Sequence, residues 1–156
     1  MKLSFRVLPV LVLTIAAACD STVRPEGIDC TALALTLAGA ASTLTTTPSG
    51  LQYRDLTIGS GTTLAAGKTV GVHYGACLTN GSQFDSNLAY EPAFTFKLGQ
   101  VPPVVIKGFD EGLMGMKVGG RRQLVIPPAL GYGSTAFASI PANSTLVFTV
   151  DAVSAQ

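Results

Sequence analysis

The sequence predicts an α+β fold, in which a curled antiparallel β-sheet of five to six strands wraps around one short α-helix. Short runs rich in β-branched and aromatic residues, separated by turns, continue from residue 50 almost to the end of the chain. One segment replaces this alternation with helical spacing. A single core of this kind suits a chain of 156 residues, of which 47% are hydrophobic.

Six strands are predicted, each bounded by turn residues. In the second strand Val70, Val72 and Tyr74 share one face, so that one side of the sheet is apolar. The dipeptide Asn80-Gly81 predicts a type I′ hairpin turn, and therefore antiparallel pairing. The predicted ranges are 51–58, 69–78, 83–86, 93–98, 121–126 and 144–153.

The helix is predicted in the segment GFDEGLMGMKVGG. Phe109, Leu113 and Met116 recur at i, i+4 and i+7, which is the spacing of one helical face. Lys117 suits the last turn, where the helix dipole favours a cation, and Gly119 suits the position just past the end. We therefore expect one short helix, held by packing against the sheet.

The first 18 residues have the pattern of a secretory signal. Lys2 and Arg6 precede a short apolar stretch, and three alanines stand directly before Cys19, as in a bacterial lipobox. The pattern predicts a protein of the bacterial cell envelope, on its periplasmic or extracellular side and lipid-anchored to the membrane through Cys19. Plain secretion, with Cys19 as a chance cysteine, is the alternative.

Three regions follow from this pattern: a signal peptide over 1–18, a tether or N-terminal extension over 19–48, and a folded domain over 49–156. The alanine- and threonine-rich part of the extension fits a short strand, a frayed helix or a linker equally well. Cys30 and Cys77 are a candidate disulfide, and two unlinked cysteines are the alternative.

Composition excludes several functions. The formal net charge is +1, and removal of Lys2 and Arg6 would leave 8 basic against 9 acidic residues, so we expect no nucleic-acid partner. His73 is the only histidine and no G-x-S-x-G motif occurs, so no nucleophilic triad is expected. No metal-ligand spacing is present either, and no cofactor is expected. Arg121 and Arg122 are predicted to form a solvated strand edge.

Five blocks of the chain, taken together, resemble FKBP-type peptidyl-prolyl cis/trans isomerases. In order they are VHYGACLTNGSQFDS, FTFKLG, VIKGFDEGLMGMKVGGRRQLVIPP, LGYG and IPANSTLVFTVDAV. The resemblance covers residues 50–153. It implies a half-barrel sheet over the helix with a hydrophobic pocket between them, and it implies peptidyl-prolyl cis/trans isomerase activity (EC 5.2.1.8).

The same resemblance implies the roles of the pocket residues. Phe109 would form the floor, the backbone N–H of Ile106 would anchor a substrate carbonyl, and Tyr132 and Asp85 would supply polar groups at the rim. These four are the predicted catalytic residues. The predicted substrate-binding residues are Tyr74, Phe84, Phe94, Val105, Ile140 and Phe148.

This sequence departs from the family pattern at two positions of the pocket. Phe109 stands where Trp is usual, and Tyr90 stands where related sequences commonly carry an Arg that pairs with the rim acid. Because a buried carboxylate without a partner is costly, we expect Asp85 to accept hydrogen bonds from Tyr74 and Tyr90. The alternative is that Asp85 only caps the turn after Phe84.

Two loops beside the pocket also depart from the pattern. Residues 100–104 contain an extra pair, Pro102-Pro103, and residues 137–139 form a shortened loop with the aromatic Phe137. Either loop could narrow the pocket or extend its apolar surface, and loop drift without consequence is the alternative.

The expected function is acceleration of X–Pro isomerisation in exported proteins, with proline-containing polypeptides as substrates and macrolides of the rapamycin type as further ligands. A binding module for proline peptides or unfolded chains, acting as chaperone or adaptor with little turnover, is the alternative, and an assembly scaffold is a third, weaker reading. A monomer is the default expectation.

Overall fold

The computed structural model describes Cys30 and residues 44–156, and its residues form one antiparallel sheet and one short helix, which confirms the predicted fold class. The sheet order is β1-β2-β6-β7-β3-β4, and β5 also pairs with β3. The strands are β1 (Thr45–Thr46), β2 (Gln52–Thr57), β3 (Thr69–Leu78), β4 (Gln83–Ser86), β5 (Phe94–Lys97), β6 (Arg121–Ile126) and β7 (Leu146–Ala155). The helix is α1 (Lys107–Leu113).

Strand β3 organises the sheet because three other strands pair with it. One of its edges pairs along its length with β7. Its other edge is shared: β5 pairs with residues 69–72, and β4 pairs with residues 75–77. The two short strands therefore follow one another along a single edge, which brings Phe84, Asp85 and Phe94 to the same side of the molecule.

The hairpin between β3 and β4 has a different turn from the predicted one. Only Gly81 has a positive φ, of 89°, whereas a type I′ turn requires positive φ at both central residues. The N–H of Leu78 donates to the carbonyl of Ser82, which closes a three-residue loop, and the Ser82 N–H donates to the Asn80 side chain. Asn80-Gly81 thus marks the hairpin correctly, but the turn has three residues.

Helix α1 is shorter than the apolar stripe predicts. It ends at Leu113, and the following Gly115 has a φ of 77°, a left-handed conformation that glycine adopts without strain. Met116 is buried as expected, although it lies beyond the helix. Lys117 and Gly119, expected at the helix end, lie beyond it because the chain already leaves the helix at Gly115: Lys117 forms an isolated β-bridge with Thr63, and Gly119 lies in the turn that leads to β6.

Two glycines let α1 approach the sheet closely. A Cβ at Gly112 would lie 2.6 Å from a methyl carbon of Leu124, and one at Gly108 would collide with Ile126. Both partners belong to β6. Glycine lowers the intrinsic stability of a helix by about 1 kcal/mol relative to Ala, so here close packing outweighs helix propensity.

Arg122 is a buried cation that joins the helix to the sheet. Its Nε and Nη2 donate to the two carboxylate oxygens of Asp55 at 2.7 and 3.1 Å, and its Nη1 donates to the carbonyls of Gly112 (2.9 Å) and Met114 (3.1 Å). The guanidinium also lies 4.5 Å from the centre of the Tyr53 ring. It therefore satisfies carbonyl groups that the end of a helix leaves without a partner.

The prediction of a solvated arginine edge is wrong for both residues. Arg121 donates to both oxygens of Asp151 at 2.7 and 2.8 Å, on the opposite face of the sheet from Arg122. This hydrogen bond raises the pKa of the Arg121 guanidinium, against the lowering effect of burial. Alternation along β6 places the two side chains on opposite faces, but each partner comes from a strand distant in sequence.

A disulfide joins Cys30 to Cys77 in β3, with their Cα atoms 5.7 Å apart. Both cysteines are buried. The predicted disulfide is therefore present, and the two cysteines are 47 residues apart in sequence. Closing a loop of this length stabilises the folded state by about 4 kcal/mol on the chain-entropy estimate. Cys19 and the predicted signal peptide lie outside the described residues. Within the described part, no helix is long and apolar enough to cross a bilayer.

Replacement of Arg122 by Met should lower the free energy of unfolding by about 3 kcal/mol, because it leaves Asp55 unpaired and the helix carbonyls without donors. The matched control is Arg121→Met, whose side chain is more exposed (31% against 9% for Arg122), and it should cost about 1 kcal/mol. Urea unfolding followed by circular dichroism measures both. Equal losses would show that the contact between Arg122 and the helix does not stabilise the fold.

Candidate active site

A pocket of about 420 Å³ lies between the sheet and α1. It contains every residue predicted for the site except Ile140, which is buried in the core beside it. Eight of its lining residues are apolar, two are tyrosines and one is an acid. The lining residues are Tyr74, Phe84, Asp85, Phe94, Pro103, Val104, Val105, Ile106, Phe109, Tyr132 and Phe148.

Phe109 is the most deeply buried aromatic residue of the pocket, with 3% of its surface exposed. It sits in the first turn of α1, and its ring lies 5.1 Å from that of Phe148 and 5.6 Å from that of Tyr74, both with tilted or edge-on geometry. Phe96 packs against it at 6.1 Å. Rings from three strands therefore fix the orientation of Phe109, whose burial stabilises the fold by about 1.5–3 kcal/mol.

Asp85 accepts a hydrogen bond from the Tyr74 hydroxyl at 2.8 Å and another from the backbone N–H of Ser86. The hydrogen bond expected from Tyr74 is thus present. The one expected from Tyr90 is not: Tyr90 is 68% exposed and its hydroxyl contacts no acceptor among the described residues. Asp85 is itself exposed, so a second side-chain donor is not needed to offset burial.

The Tyr74 hydroxyl is held in its neutral form. Burial desolvates the phenol, and the hydrogen bond to Asp85 and the charge of that carboxylate act in the same direction, so that the pKa of Tyr74 lies well above its usual value. Tyr74 therefore stays a hydrogen-bond donor throughout the neutral range.

Tyr132 lies on the other side of the pocket, just after a 3₁₀ turn at Pro128–Leu130. Its ring stacks on that of Phe137 at 4.8 Å with an angle of 4° between the planes. Burial, and then the charge of Asp85, raise the pKa of its phenol. Its hydroxyl has no hydrogen-bond partner within the described chain, so Tyr132 offers a free donor to a ligand.

The backbone N–H of Ile106 is a second free donor. Ile106 precedes α1, and its carbonyl accepts from the N–H groups of Phe109 and Asp110. Its own N–H donates to no acceptor among residues 44–156. Helices leave such early N–H groups without internal partners, and this one lies at the lining of the pocket.

Sequence reasoning did not include Pro103 and Val104 among the site residues, although both line the pocket. The signal was the extra pair Pro102-Pro103, which pushes this loop outward: Val101 is 91% exposed and Val104 is 57% exposed. The loop therefore extends the apolar surface at the mouth of the pocket.

A second cleft, of about 350 Å³, lies on the outer face of the sheet. It is lined in part by His73 and by the paired Arg121 and Asp151. The Nε2 of His73 lies 3.4 Å from a carboxylate oxygen of Glu91. His73 points away from the apolar pocket, as alternation with Tyr74 predicts. Over the described residues no cluster of His, Cys, Asp and Glu could hold a metal ion.

The fold and the pocket define a class of protein: a half-open sheet and a short helix enclose a pocket lined by aromatic rings. Among the described residues, this pocket contains no catalytic nucleophile and no metal-binding cluster. A family model described as FKBP-type peptidyl-prolyl cis-trans isomerase matches residues 60–153. The chain belongs to this family.

Curated relatives agree with this assignment. FK506-binding protein 4 of Dictyostelium discoideum is 53% identical over 114 residues, which cover 72% of this chain and 30% of the relative. FK506-binding protein 3 of Candida albicans is 50% identical over 105 residues, 67% of this chain and 24% of the relative. The chain thus spans less than a third of the length of these relatives.

Two solved structures have a similar fold. FkpA from Escherichia coli superimposes with a TM-score of 0.68 at 34% identity, covering 81% of this chain and 57% of that one. AtFKBP13 superimposes with a TM-score of 0.66, also at 34% identity, covering 72% of this chain and 98% of that one.

The predicted location in a bacterial cell envelope, with a lipid anchor at Cys19, is wrong. The curated relatives named above come from eukaryotes, and a further one from Spodoptera frugiperda, 46% identical over 103 residues, is named as a nuclear protein. The prediction depended on a short apolar stretch and small residues before one cysteine. That pattern is brief and arises by chance more readily than the five blocks of the domain.

Replacement of Tyr74 by Phe should lower the free energy of unfolding by about 1 kcal/mol at pH 7, because one hydrogen bond to a carboxylate is lost. Since folding raises the pKa of Tyr74, this contribution is present in full below pH of about 10 and decreases as the pH rises towards the folded value. Urea unfolding of both proteins between neutral pH and about pH 11 measures the difference. A difference that grew with pH would contradict the assigned hydrogen bond.

Proposed function

We propose that the pocket accelerates cis/trans rotation of X–Pro peptide bonds in polypeptide substrates. The observation that carries the proposal is an apolar, ring-walled pocket whose free hydrogen-bond donors, at Ile106 and Tyr132, lie beside the buried ring of Phe109. Such a site can hold a proline ring and its flanking carbonyl groups without any covalent step.

The physical basis is the amide resonance of the substrate. Rotation about an X–Pro bond faces a barrier of about 18–20 kcal/mol and takes tens to hundreds of seconds unaided. The planar amide separates charge more than the twisted one. Removal of water by apolar walls therefore raises the energy of the planar form relative to the twisted form.

Each site residue has a separate task in this proposal. Phe109 supports the proline ring. The backbone N–H of Ile106 donates a hydrogen bond to a substrate carbonyl and thereby orients the substrate. Tyr132 donates a second hydrogen bond at the rim, where stacking on Phe137 holds its ring. Asp85 keeps the Tyr74 hydroxyl turned to the rim, so that the wall facing the substrate is the Tyr74 ring.

The names of the curated relatives suggest a further ligand. They are called FK506-binding proteins, and the aromatic pocket of this chain offers the same kind of apolar enclosure to a macrolide. We propose that FK506 and rapamycin-type macrolides compete with proline-containing substrates for this pocket.

Isomerase activity can be tested with a short X–Pro peptide whose trans form alone is cleaved by a protease. Phe109→Leu should lower kcat/KM about 10-fold and Tyr132→Phe about 5-fold, because each removes a contact worth about 1–1.5 kcal/mol. Asp85→Leu should also lower it. Ile58→Ala is the control, since Ile58 is 82% exposed and outside the pocket. Unchanged rates in all three pocket variants would refute the site assignment.

The exposed apolar rim favours a second candidate, in which the protein holds unfolded chains with little turnover. Val101 and Tyr90 are exposed and do not line the pocket, but they stand in the chain two residues before Pro103 and four residues before Phe94, which do line it. Exposed apolar side chains that continue the apolar surface of a pocket favour protein binding.

This candidate predicts that Val101→Ser combined with Tyr90→Ser weakens suppression of aggregation of an unfolded protein several-fold, while peptide isomerisation is kept. Ile58→Ser is the matched control, because it removes an equally exposed apolar side chain elsewhere. Light scattering during refolding measures the effect. If the control variant lost as much as the double variant, the rim would have no specific role.

A further inference from the structure

Among the described residues that line the pocket, Asp85 is the only acidic or basic side chain. Each of its two oxygens accepts one hydrogen bond, Oδ2 from the Tyr74 hydroxyl and Oδ1 from the Ser86 N–H. Neither donor carries a charge. The carboxylate is exposed, so further acceptor positions on both oxygens remain open to a ligand.

No cation of the described chain neutralises this carboxylate. Arg121 and Arg122 form ion pairs with Asp151 and Asp55, away from the pocket. Lys107 follows Ile106 directly in the chain, but it does not line the pocket and forms no ion pair with Asp85. At the position where a basic partner is common in similar sequences stands the uncharged Tyr90.

The negative charge of Asp85 acts on two sides of the pocket. Tyr74 on β3 and Tyr132 after β6 line the pocket from different elements, and the charge of Asp85 raises the pKa of both phenols. A substrate backbone anchored at Ile106 therefore lies in a field that attracts cations.

We propose that this site prefers polypeptide segments in which a Lys or Arg lies directly before or directly after the isomerised proline. The proposal rests on the proposed function, because the proline ring must be seated on Phe109. Long basic side chains reach across an apolar surface while their charged ends stay in water, so a basic residue beside proline can contact Asp85 without leaving the pocket rim.

The expected preference is modest and depends on salt. An exposed ion pair changes the affinity for a peptide by a factor of a few. Comparing an attracted Lys with a repelled Glu roughly doubles the free-energy difference found when Lys is compared with an uncharged residue. We expect kcat/KM to be about 3–10-fold higher for a Lys peptide than for the matched Glu peptide at low ionic strength. The ratio should fall at about 500 mM salt, where screening is strong.

The test uses peptides of one length that differ only in carrying Lys, Gln or Glu directly before or directly after the proline. Both kcat/KM and the dissociation constant of each peptide are measured, the latter by NMR titration of the full chain. A Lys-to-Glu ratio near one at both positions, at low salt, would overturn the proposal.

Two variants separate the charge from other properties of the chain. In Asp85→Asn, the hydrogen bond from Tyr74 can persist, and the Lys-to-Glu ratio should fall to about one even if all rates drop. Glu111→Gln removes one negative charge from α1 outside the pocket, where the carboxylate accepts from Ser49, and should leave the ratio unchanged. Equal loss of preference in both variants would show that net charge, and not Asp85, sets the selection.

The binding measurement also separates this proposal from the proposed isomerase function. A protein that binds Lys peptides more tightly than Glu peptides but accelerates neither would refute the isomerase and keep the charge preference. A protein that accelerates all peptides equally would keep the isomerase and refute the preference.

Discussion

The buried guanidinium of Arg122 is the contact on which the geometry of the pocket depends. It joins Asp55 on β2 to the carbonyls at the end of α1, and so fixes the helix against the sheet at one end. Gly112 allows the same helix to lie against Leu124 without an intervening side chain. A helix held this closely has little freedom to tilt, and Phe109 in its first turn therefore keeps one position.

The split edge of β3 determines the rest of the site. Because β4 and β5 share that edge, their side chains line the pocket from one direction, while α1 and the segment before it close the opposite side. The aromatic rings meet between these two sides in edge-on contacts. Aromatic pairs of this kind have a preferred geometry and contribute about 0.5–1.5 kcal/mol each beyond the area they bury, which favours one arrangement of the rings.

Local patterns in the sequence predicted the elements but not the contacts between distant segments. The stripe of Phe109, Leu113 and Met116 located the helix, yet not its end, because Met116 is buried after the chain has left the helix at Gly115. Alternation along β6 puts Arg121 and Arg122 on opposite faces of the sheet. It could not reveal Asp55, which lies 67 residues from Arg122 in the chain.

Asp85 shows the same limit at the site itself. Its position after Phe84 on a short strand was evident from sequence, and so was Tyr74 as a donor. The resemblance placed it at the rim, but the degree of its exposure was not evident, since this depends on how β4 ends beside the loop to β5.

The exposure of Asp85 lets one pocket combine a dry floor with a charged group at its rim. The buried ring of Phe109 and the apolar walls provide the dry surroundings that favour a twisted amide. A carboxylate placed among them would stabilise charge separation and oppose that effect. At the rim the same carboxylate remains hydrated, holds the Tyr74 hydroxyl and projects its charge towards solvent. The floor can therefore favour rotation of the X–Pro bond, while the charge at the rim selects among the residues next to the proline.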